Sequence, residues 1–438
     1  MVKPIVVLFA ALALSACGEG PTSKRPAEAA AAPSLVEAAK LDATLREFVE
    51  SGQLLGVSAL VYERDREAYF GAFGVADREA NRPMRRDTLV RIYSMTKPVT
   101  GVALMRLFDE GKFQLDDPVA KYAPEFASLR VYAGLDAAGH PRFEAPHREV
   151  TIRDLMRHTA GFTSGENDTS PVGEMFRKAD PLALENTLAQ MAQKLGQLPL
   201  LYQPGTRWLY SPAVDVQAFL VERLSGERFD EYLRKYIFEP LRMSDTRYVV
   251  SVEDRERLAV VYVRSDEGAF SPLTEGAVVR VNEEGTPLKP GGWGLVSTLD
   301  DYMRFSRMLL NDGELDGVRV LSPEAVRLMS TNAMPSDVGD TSWLPNKGQV
   351  GFGIDVAVRI APPANRDEAS GAVGEFFWDG YANTLFWIDP ANDIAAVLFT
   401  QYVPFGEVPL HKAFRDAIYE KDPEASALTK PAAVSPNS

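Results

Sequence analysis

The stretch RIYSMTKPVTGVALMRLFDEGKF, residues 91–113, places a serine and a lysine three positions apart where an apolar helical pattern begins. From Thr96 onward apolar residues recur at helical spacing, and Gly111 ends the pattern. At i and i+3, Ser94 and Lys97 lie on one face of such a helix. The pattern has two interpretations: a polar first turn ahead of a core-facing helix, or a serine nucleophile with an amine beside it.

The chemical interpretation rests on what a serine needs in order to react. A serine hydroxyl is a poor nucleophile until a base lies within hydrogen-bond reach. An ammonium is not a base, but a lysine desolvated against an apolar helix face can lose its proton. The first turn of a helix also offers free backbone N–H groups that can hold an oxyanion. The pair Ser94 and Lys97 is the only Ser-x-x-Lys in the sequence.

Composition excludes several function classes. The 438 residues are 45% hydrophobic and 25% charged, which is typical of a globular protein with a large core. The formal net charge is −14, and no cluster of Lys and Arg offsets it. Such a surface repels phosphate backbones, so we expect no nucleic-acid partner. A single cysteine, Cys17, can form neither an internal disulfide nor a thiolate metal cage.

The N-terminus, MVKPIVVLFAALALSACGEG, predicts export. Lys3 precedes an apolar run at 5–14, which is too short to span a bilayer permanently. The run ends in LSAC at 14–17, which resembles the lipobox of bacterial lipoproteins. The resemblance implies that Cys17 is lipidated and anchors the protein to the cell envelope, in the periplasm or at the outer membrane. An ordinary signal peptide or a buried structural cysteine are the alternatives.

Composition also predicts the domain limits. A lipoprotein signal peptide occupies 1–17, and a small, polar, proline-containing tether occupies 18–35. A single globular body runs over 36–420, and a disordered tail of the same character as the tether follows at 421–438.

Strand patterns lie at both ends of the body and helical patterns lie in its middle. This order predicts an α/β (α+β) fold, in which a sheet built from both termini is covered by helices and carries a helical insertion. The predicted strands lie at 54–77 on either side of the charged turn ERDRE, at 88–93, and at 350–361, 382–390 and 393–402. The predicted helices lie at 35–51, 151–158, 214–226, 229–241 and 410–421.

Five stretches in one order resemble the β-lactamase-related serine hydrolase superfamily, and most closely class C β-lactamases and family VIII carboxylesterases. They are SMTK at 94–97, HTAG at 158–161, QPG at 203–205 with YS at 210–211, GGWGLVST at 291–298, and WDGY at 378–381. The resemblance spans about 38–420. It implies a β-lactamase or D,D-peptidase-like two-lobe fold, an antiparallel sheet flanked by helices plus a mostly helical lobe, with the site between them.

The second motif of this superfamily supplies a tyrosine that shares proton transfer with the lysine, and Tyr210 is the candidate. A phenol with a pKa near 10 becomes a base only if a cation such as Lys97 lowers that value. Tyr381 and Asn383 also match Tyr-x-Asn, but they fall too late in the chain. The β-lactamases and peptidases usually have Asn at the place of Pro212, and proline cannot donate to a substrate carbonyl.

The third motif departs further from the penicillin-recognising enzymes, which carry Lys-Thr-Gly or His-Thr-Gly there. In its place stand Trp378, Asp379 and Gly380, similar to the Trp-Gly-Gly of family VIII esterases. An indole cannot pair with a substrate carboxylate, and Asp379 would repel one if it faced the pocket. Gly380 lets the backbone of this strand come close to the substrate. The resemblance implies an oxyanion hole formed by the backbone N–H groups of Ser94 and Tyr381.

Other polar residues predict no further chemistry. His158 belongs to a stretch that is chiefly a structural turn in the superfamily, and the chain lacks a Gly-x-Ser-x-Gly elbow. His140 and His147 flank a loop without the spacing of a metal site, so no metal is expected. The acyl-serine chemistry needs no cofactor, and the sequence has neither a P-loop nor a dinucleotide fingerprint.

The sequence therefore predicts a lipid-anchored serine hydrolase that cleaves small-molecule carboxylic esters through an acyl-serine intermediate. Ser94, Lys97 and Tyr210 are the expected catalytic residues, and Ser94, Trp378, Gly380 and Tyr381 are expected to bind the substrate or its oxyanion. A β-lactamase or D-amino-acid peptidase acting on an amide of cell-wall material is one alternative. A non-catalytic lipoprotein that binds peptidoglycan or a partner is the other, and the oligomeric state cannot be read from the sequence.

Overall fold

The computed structural model describes residues 33–420, except 166–167, 337, 339–343 and 345–346. The signal peptide, Cys17, most of the tether and the C-terminal tail lie outside the described residues, so the predictions for those segments stay predictions. In the described part, no helix is both long and apolar enough to cross a membrane.

Helices occupy the middle of the chain and both ends of the body. The α-helices of the described residues are α1 (Ala38–Glu50), α2 (Thr96–Asp109), α3 (Ile152–Met156), α4 (Pro171–Ala179), α5 (Leu188–Gly196), α6 (Ala213–Ser225), α7 (Phe229–Leu233), α8 (Ala277–Arg280), α9 (Leu299–Leu310), α10 (Pro323–Met329) and α11 (Leu410–Tyr419). Short 3₁₀ turns span Tyr93–Met95, Val119–Lys121, Pro124–Phe126 and Glu253–Arg257, and a π-helical turn spans Arg234–Phe238.

Strands come from both ends of the chain. They are β1 (Gly56–Glu63), β2 (Arg66–Asp77), β3 (Arg82–Pro83), β4 (Val90–Arg91), β5 (Val131–Leu135), β6 (Pro141–Glu144), β7 (Tyr262–Arg264), β8 (Phe270–Pro272), β9 (Val296–Ser297), β10 (Glu314–Leu315), β11 (Val318–Arg319), β12 (Val350–Phe352), β13 (Ala357–Arg359), β14 (Phe376–Asp379), β15 (Leu385–Asp389), β16 (Ile394–Phe399) and β17 (Tyr402–Val403).

Eight of these strands form one antiparallel sheet in the order β12-β13-β14-β15-β16-β1-β2-β3. The charged turn that joins β1 to β2 contains Arg64 and Asp65, both with positive φ, as a tight hairpin requires. The first and last parts of the body meet where β1 pairs with β16 and Ser58 lies opposite Phe399. The predicted antiparallel α+β fold, with a sheet built from both termini, is confirmed.

Helices cover both faces of the sheet, as neighbouring side chains on β15 illustrate. Successive side chains on a strand point to opposite faces. Phe386 contacts Tyr302 of α9, with ring centroids 5.1 Å apart, whereas Trp387 contacts Phe414 of α11 at 5.3 Å. All six residues of β16 are buried for the same reason.

The helical middle of the chain packs around α6, which contacts α2, α3, α5 and α7. The strand predicted at 88–93 shortens to β4, which pairs with β9 and leads directly into the turn at Ser94. The helix predicted at 229–241 is instead α7 followed by the π-helical turn. Ser94 therefore stands between the helical part and the end of the sheet.

Candidate active site

The chain bends sharply just before Ser94. Tyr93 has a φ of 44°, and the 3₁₀ turn that it opens runs into α2 at Thr96. A left-handed conformation costs a non-glycine residue roughly 1–2 kcal/mol, and here it sets a half-buried serine at the head of the helix. Pro98 fits in the first turn of α2, where backbone N–H groups have no intrahelical partner.

Lys97 is buried beside Ser94. Its Nζ lies 3.3 Å from Ser94 Oγ and donates a hydrogen bond of 2.7 Å to the backbone carbonyl of Gly292. Burial lowers the pKa of Lys97 to about 8, although the negative charges of Asp215, Asp355 and Asp379 act in the opposite direction. With this pKa roughly a tenth of the amine is unprotonated at pH 7, far more than in an exposed lysine with a pKa near 10.4, and the unprotonated form can act as a general base.

Tyr210 completes a cluster of three polar groups. Lys97 Nζ lies 4.3 Å from the centroid of the Tyr210 ring, and the Tyr210 hydroxyl hydrogen-bonds with Ser94. Burial raises the pKa of Tyr210 above its usual value, although the hydrogen bonds from Ser94 and Trp378 lower it. A basic phenol would need a lowered pKa, whereas burial raises the pKa of Tyr210, so the phenol keeps its proton at rest.

Trp378, at the end of β14, contacts Tyr210 directly. The indole is 1% exposed, and its Nε1–H donates a hydrogen bond of 3.2 Å to the Tyr210 hydroxyl. The sequence predicted Trp378 near the substrate but gave no sign of this bond. Trp378 therefore fixes the position of the phenol oxygen relative to Ser94.

Gly380 brings the sheet against the segment that carries the nucleophile. A Cβ at this position would collide with the carbonyl oxygen of Ile92 and the hydroxyl of Thr384. Gly380 thus packs against the backbone two residues before Ser94, and the predicted approach to the substrate stays a prediction. The ring of Tyr381 meets the ring of Tyr93 edge-on at 5.7 Å. Within the described part of the chain, the backbone N–H of Tyr381 has no hydrogen-bond partner.

Asp215 and the peptide group of Gly292 hold Lys97 in place, and neither was predicted from the sequence. Asp215 accepts a 3.0 Å hydrogen bond from the N–H of Gly292, whose carbonyl accepts from Lys97. Burial raises the pKa of Asp215, and the charge of Lys97 lowers it. The sequence did contain a signal, because Asp215 interrupts the apolar run of α6, and buried acids need a specific partner.

Sequence analysis also missed Lys347. Its ammonium forms an ion pair with Asp379 and lies 4.6 Å from the centroid of the Trp378 ring. Asp379, expected to repel carboxylates if it faced the pocket, is therefore neutralised. No local pattern predicts this contact, because the two charged residues are 32 positions apart.

Two motif residues have structural contacts. His158 is fully buried, and the centroid of its ring lies 4.8 Å from that of Tyr210. His158 therefore packs against the tyrosine ring and helps to fix its position. Asn383, which completed the misleading Tyr-x-Asn match, donates to the carbonyls of Tyr402 and Pro404 and accepts from the N–H of Gly406. It fixes β17 and the loop that follows it.

Comparisons with known proteins show the family of this chain. Residues 41–420 match the family model described as Beta-lactamase. The chain belongs to the beta-lactamase family. The predicted resemblance to the β-lactamase-related superfamily is thereby confirmed. Lipidation at Cys17 stays a prediction.

Relatives within the beta-lactamase family include named esterases. An uncharacterised protein of Mycobacterium tuberculosis is 36% identical over 83% of this chain and 89% of its own length. Esterase EstB of Burkholderia gladioli is 31% identical over 88% of this chain and 95% of its own. The solved structure of EstCE1, a hydrolase with promiscuous acyltransferase activity, has a TM-score of 0.73 at 24% identity and covers 87% of this chain and 98% of its own. The protein is an enzyme of the serine hydrolase class with this fold.

The clash at Gly380 predicts a local loss of the site. We expect Gly380→Ala to separate the end of β14 from the Ser94 segment and to slow labelling of Ser94 by a fluorophosphonate probe by about tenfold or more. Gly374→Ala is the matched control, since Gly374 has a φ of 91° and a Cβ added there meets no other described atom within 4 Å. It introduces backbone strain without a collision. Equal labelling rates for the two variants would contradict the packing argument.

Proposed function

We propose that this enzyme hydrolyses carboxylic esters through an acyl-Ser94 intermediate. The observation that carries the proposal is the 3.3 Å approach of a buried, easily deprotonated Lys97 amine to Ser94 Oγ. A nucleophile and a base at this distance meet the geometric requirement for covalent catalysis. A non-catalytic binding protein has no use for a desolvated lysine at that place.

The proposed acylation step moves two protons. The unprotonated amine of Lys97 takes the Ser94 proton as Oγ attacks the ester carbonyl and forms the tetrahedral adduct. Tyr210, which keeps its proton because burial raises its pKa, donates that proton to the departing alkoxide. The proton held by Lys97 then replaces it on Tyr210. Water then attacks the carbonyl of acyl-Ser94, and Tyr210 and Lys97 pass its proton to Ser94 Oγ by the same transfers in reverse order. The carboxylic acid is released and Ser94 regains its hydroxyl.

The oxyanion of the adduct requires donors that are already in position. The backbone N–H groups of Ser94 and Tyr381 are the proposed donors, and Gly380 permits the approach that brings them together. Each oxyanion donor typically contributes about 3–4 kcal/mol to transition-state stabilisation. Because both groups are backbone amides on packed elements, they need no reorganisation during the reaction.

Esters fit this site better than lactams or peptides. Pro212 cannot donate to a substrate amide carbonyl, and Trp378 stands where penicillin-recognising enzymes have a cation. The relatives EstB of Burkholderia gladioli and lovastatin esterase of Penicillium rubens, the latter 28% identical over 87% of this chain, are named as esterases. Hydrolysis of a β-lactam or a D-amino-acid peptide remains the competing assignment for the experiment.

The ester assignment predicts the result of one side-by-side assay. We expect the protein without residues 1–17 to hydrolyse p-nitrophenyl butyrate far faster than a chromogenic cephalosporin. Ser94→Ala should reduce kcat/KM on the ester by about 10⁴-fold or more, because the nucleophile carries the covalent step. Unchanged turnover in the variant would refute the mechanism, and faster lactam turnover would favour the competing assignment.

The pKa of Lys97 predicts the pH dependence. Lys97 must lose its proton to act, so kcat/KM on a neutral ester should rise with pH and level off above about 8. The negative charge of Asp215 raises the pKa of Lys97. Asp215→Asn keeps an acceptor for the Gly292 N–H but removes that charge, so the midpoint should move to lower pH.

The control for this shift is Asp300→Asn, which removes one negative charge from an exposed ion pair with Arg86. Its midpoint should match that of the unmodified enzyme. A midpoint that rises or stays in place in Asp215→Asn would show that Lys97 is not the group observed.

We also propose that the enzyme is exported and anchored by a lipid on Cys17. This proposal rests on the sequence at 1–17 alone. Expressed from its full gene in a bacterium with lipoprotein processing, the protein should incorporate radiolabelled palmitate and begin at Cys17. Cys17→Ala should lose the label, and a mature N-terminus at another residue would exclude the proposal.

A further inference from the structure

Lys347 places a positive charge beside a motif that lacks one. The residue lies just before β12, and its ammonium reaches the end of β14, where it pairs with Asp379. Two aromatic faces flank the ammonium, with ring centroids at 4.6 Å for Trp378 and 5.4 Å for Phe405. A cation over aromatic faces is stabilised by the ring quadrupoles. The lysine therefore has three partners that hold it at this place.

The ion pair is withdrawn from solvent. The side chain of Lys347 is 9% exposed and that of Asp379 is 13% exposed. An ion pair this buried adds little net stability compared with an apolar pair, but removal of one partner leaves an uncompensated charge. The two charges cancel each other only while both are present.

The pair is also close enough to the catalytic residues to act on them. Trp378 separates the Lys347 ammonium from Tyr210, since one face of the indole meets the ammonium while its N–H donates to the phenol. The charge of Asp379 raises the pKa of both Lys97 and Tyr210. A charge unmasked at this place would therefore act on the groups beside Lys97 and Tyr210, where the proposed ester binds.

We propose that Lys347 and Asp379 form a charge-neutral wall of the substrate pocket and thereby select uncharged esters. The proposal rests on the proposed esterase function and specifies its substrate class. Asp379 neutralises the ammonium of Lys347, which would otherwise attract a substrate carboxylate. Lys347 neutralises the carboxylate of Asp379, which would otherwise attract a substrate ammonium. Each residue is a specificity determinant through the charge that it cancels.

Three matched esters test whether the pair of Lys347 and Asp379 selects substrates by charge. They are p-nitrophenyl valerate, the mono-p-nitrophenyl ester of glutaric acid, and p-nitrophenyl 4-(trimethylammonio)butyrate, whose acyl chains are neutral, anionic and cationic. We expect the unmodified enzyme to prefer the neutral ester. Asp379→Asn should raise the anionic-to-neutral ratio of kcat/KM by about tenfold, and Lys347→Met should raise the cationic-to-neutral ratio by about as much.

Two further variants separate charge from structure. The double variant Lys347→Met with Asp379→Asn has no unpaired charge and should regain the ratios of the unmodified enzyme. Asp65→Asn removes an exposed negative charge paired with Arg307 and should leave all ratios unchanged. Melting temperatures show whether each variant is folded. Ratios that stay within about twofold in both folded single variants would overturn the proposal.

Inhibitors keep the inference separate from the esterase assignment. Boronic acids add to an active serine without any ester turnover, so the inhibition constants of 3-carboxyphenylboronic and phenylboronic acid provide the same comparison. Binding of the carboxylate compound relative to phenylboronic acid should improve in Asp379→Asn. This result should appear even if no ester is hydrolysed, and the absence of ester hydrolysis would refute only the esterase assignment. An unchanged ratio of the two constants would overturn the charge-neutral wall, whatever the ester assay gives.

Discussion

The amine of Lys97 is almost completely buried, with 5% of the residue exposed, and the rest of the site geometry depends on the groups that hold it there. A single peptide group does much of this work, because the carbonyl of Gly292 accepts from Lys97 while its N–H donates to Asp215. A Cβ at position 292 would lie 3.1 Å from Asp215 and 3.3 Å from Lys97 Nζ, so a side chain would crowd both groups. Burial lowers the pKa of Lys97, and the negative charge of Asp215 makes this decrease smaller.

The site is assembled from stretches that are distant in sequence. The helix α2 supplies the base and follows directly from the turn that carries the nucleophile, the segment before α6 supplies Tyr210, and the end of β14 supplies Trp378. The indole N–H bond to the phenol joins the sheet to the helical part at the point where chemistry is proposed. Packing of the helix, the strand and the irregular segment at 207–211 thus sets the distance between base, acid and nucleophile.

Local signals explain what could be predicted from sequence. Ser94 and Lys97 are three residues apart at a helix start, and strand-like apolar runs at both ends of the body indicated the sheet, so both follow from short-range patterns. The pairing of Lys347 with Asp379 depends on where two separate segments meet in space, which no period or motif encodes. Burial of Tyr210 is a tertiary property of the same kind, so the direction of its pKa shift could not be derived from the sequence.

The pairing of β1 with β16 has a consequence for the time at which the enzyme becomes active. Ser58 lies opposite Phe399, so 341 residues separate the two partners. At about 5–20 residues per second, roughly 20–70 s of synthesis pass between them. A nascent chain that already contains Ser94 and Lys97 still lacks Trp378 and the strand that closes the sheet. The chain therefore stays catalytically incomplete until nearly all of it has been made, a delay that suits the proposed export.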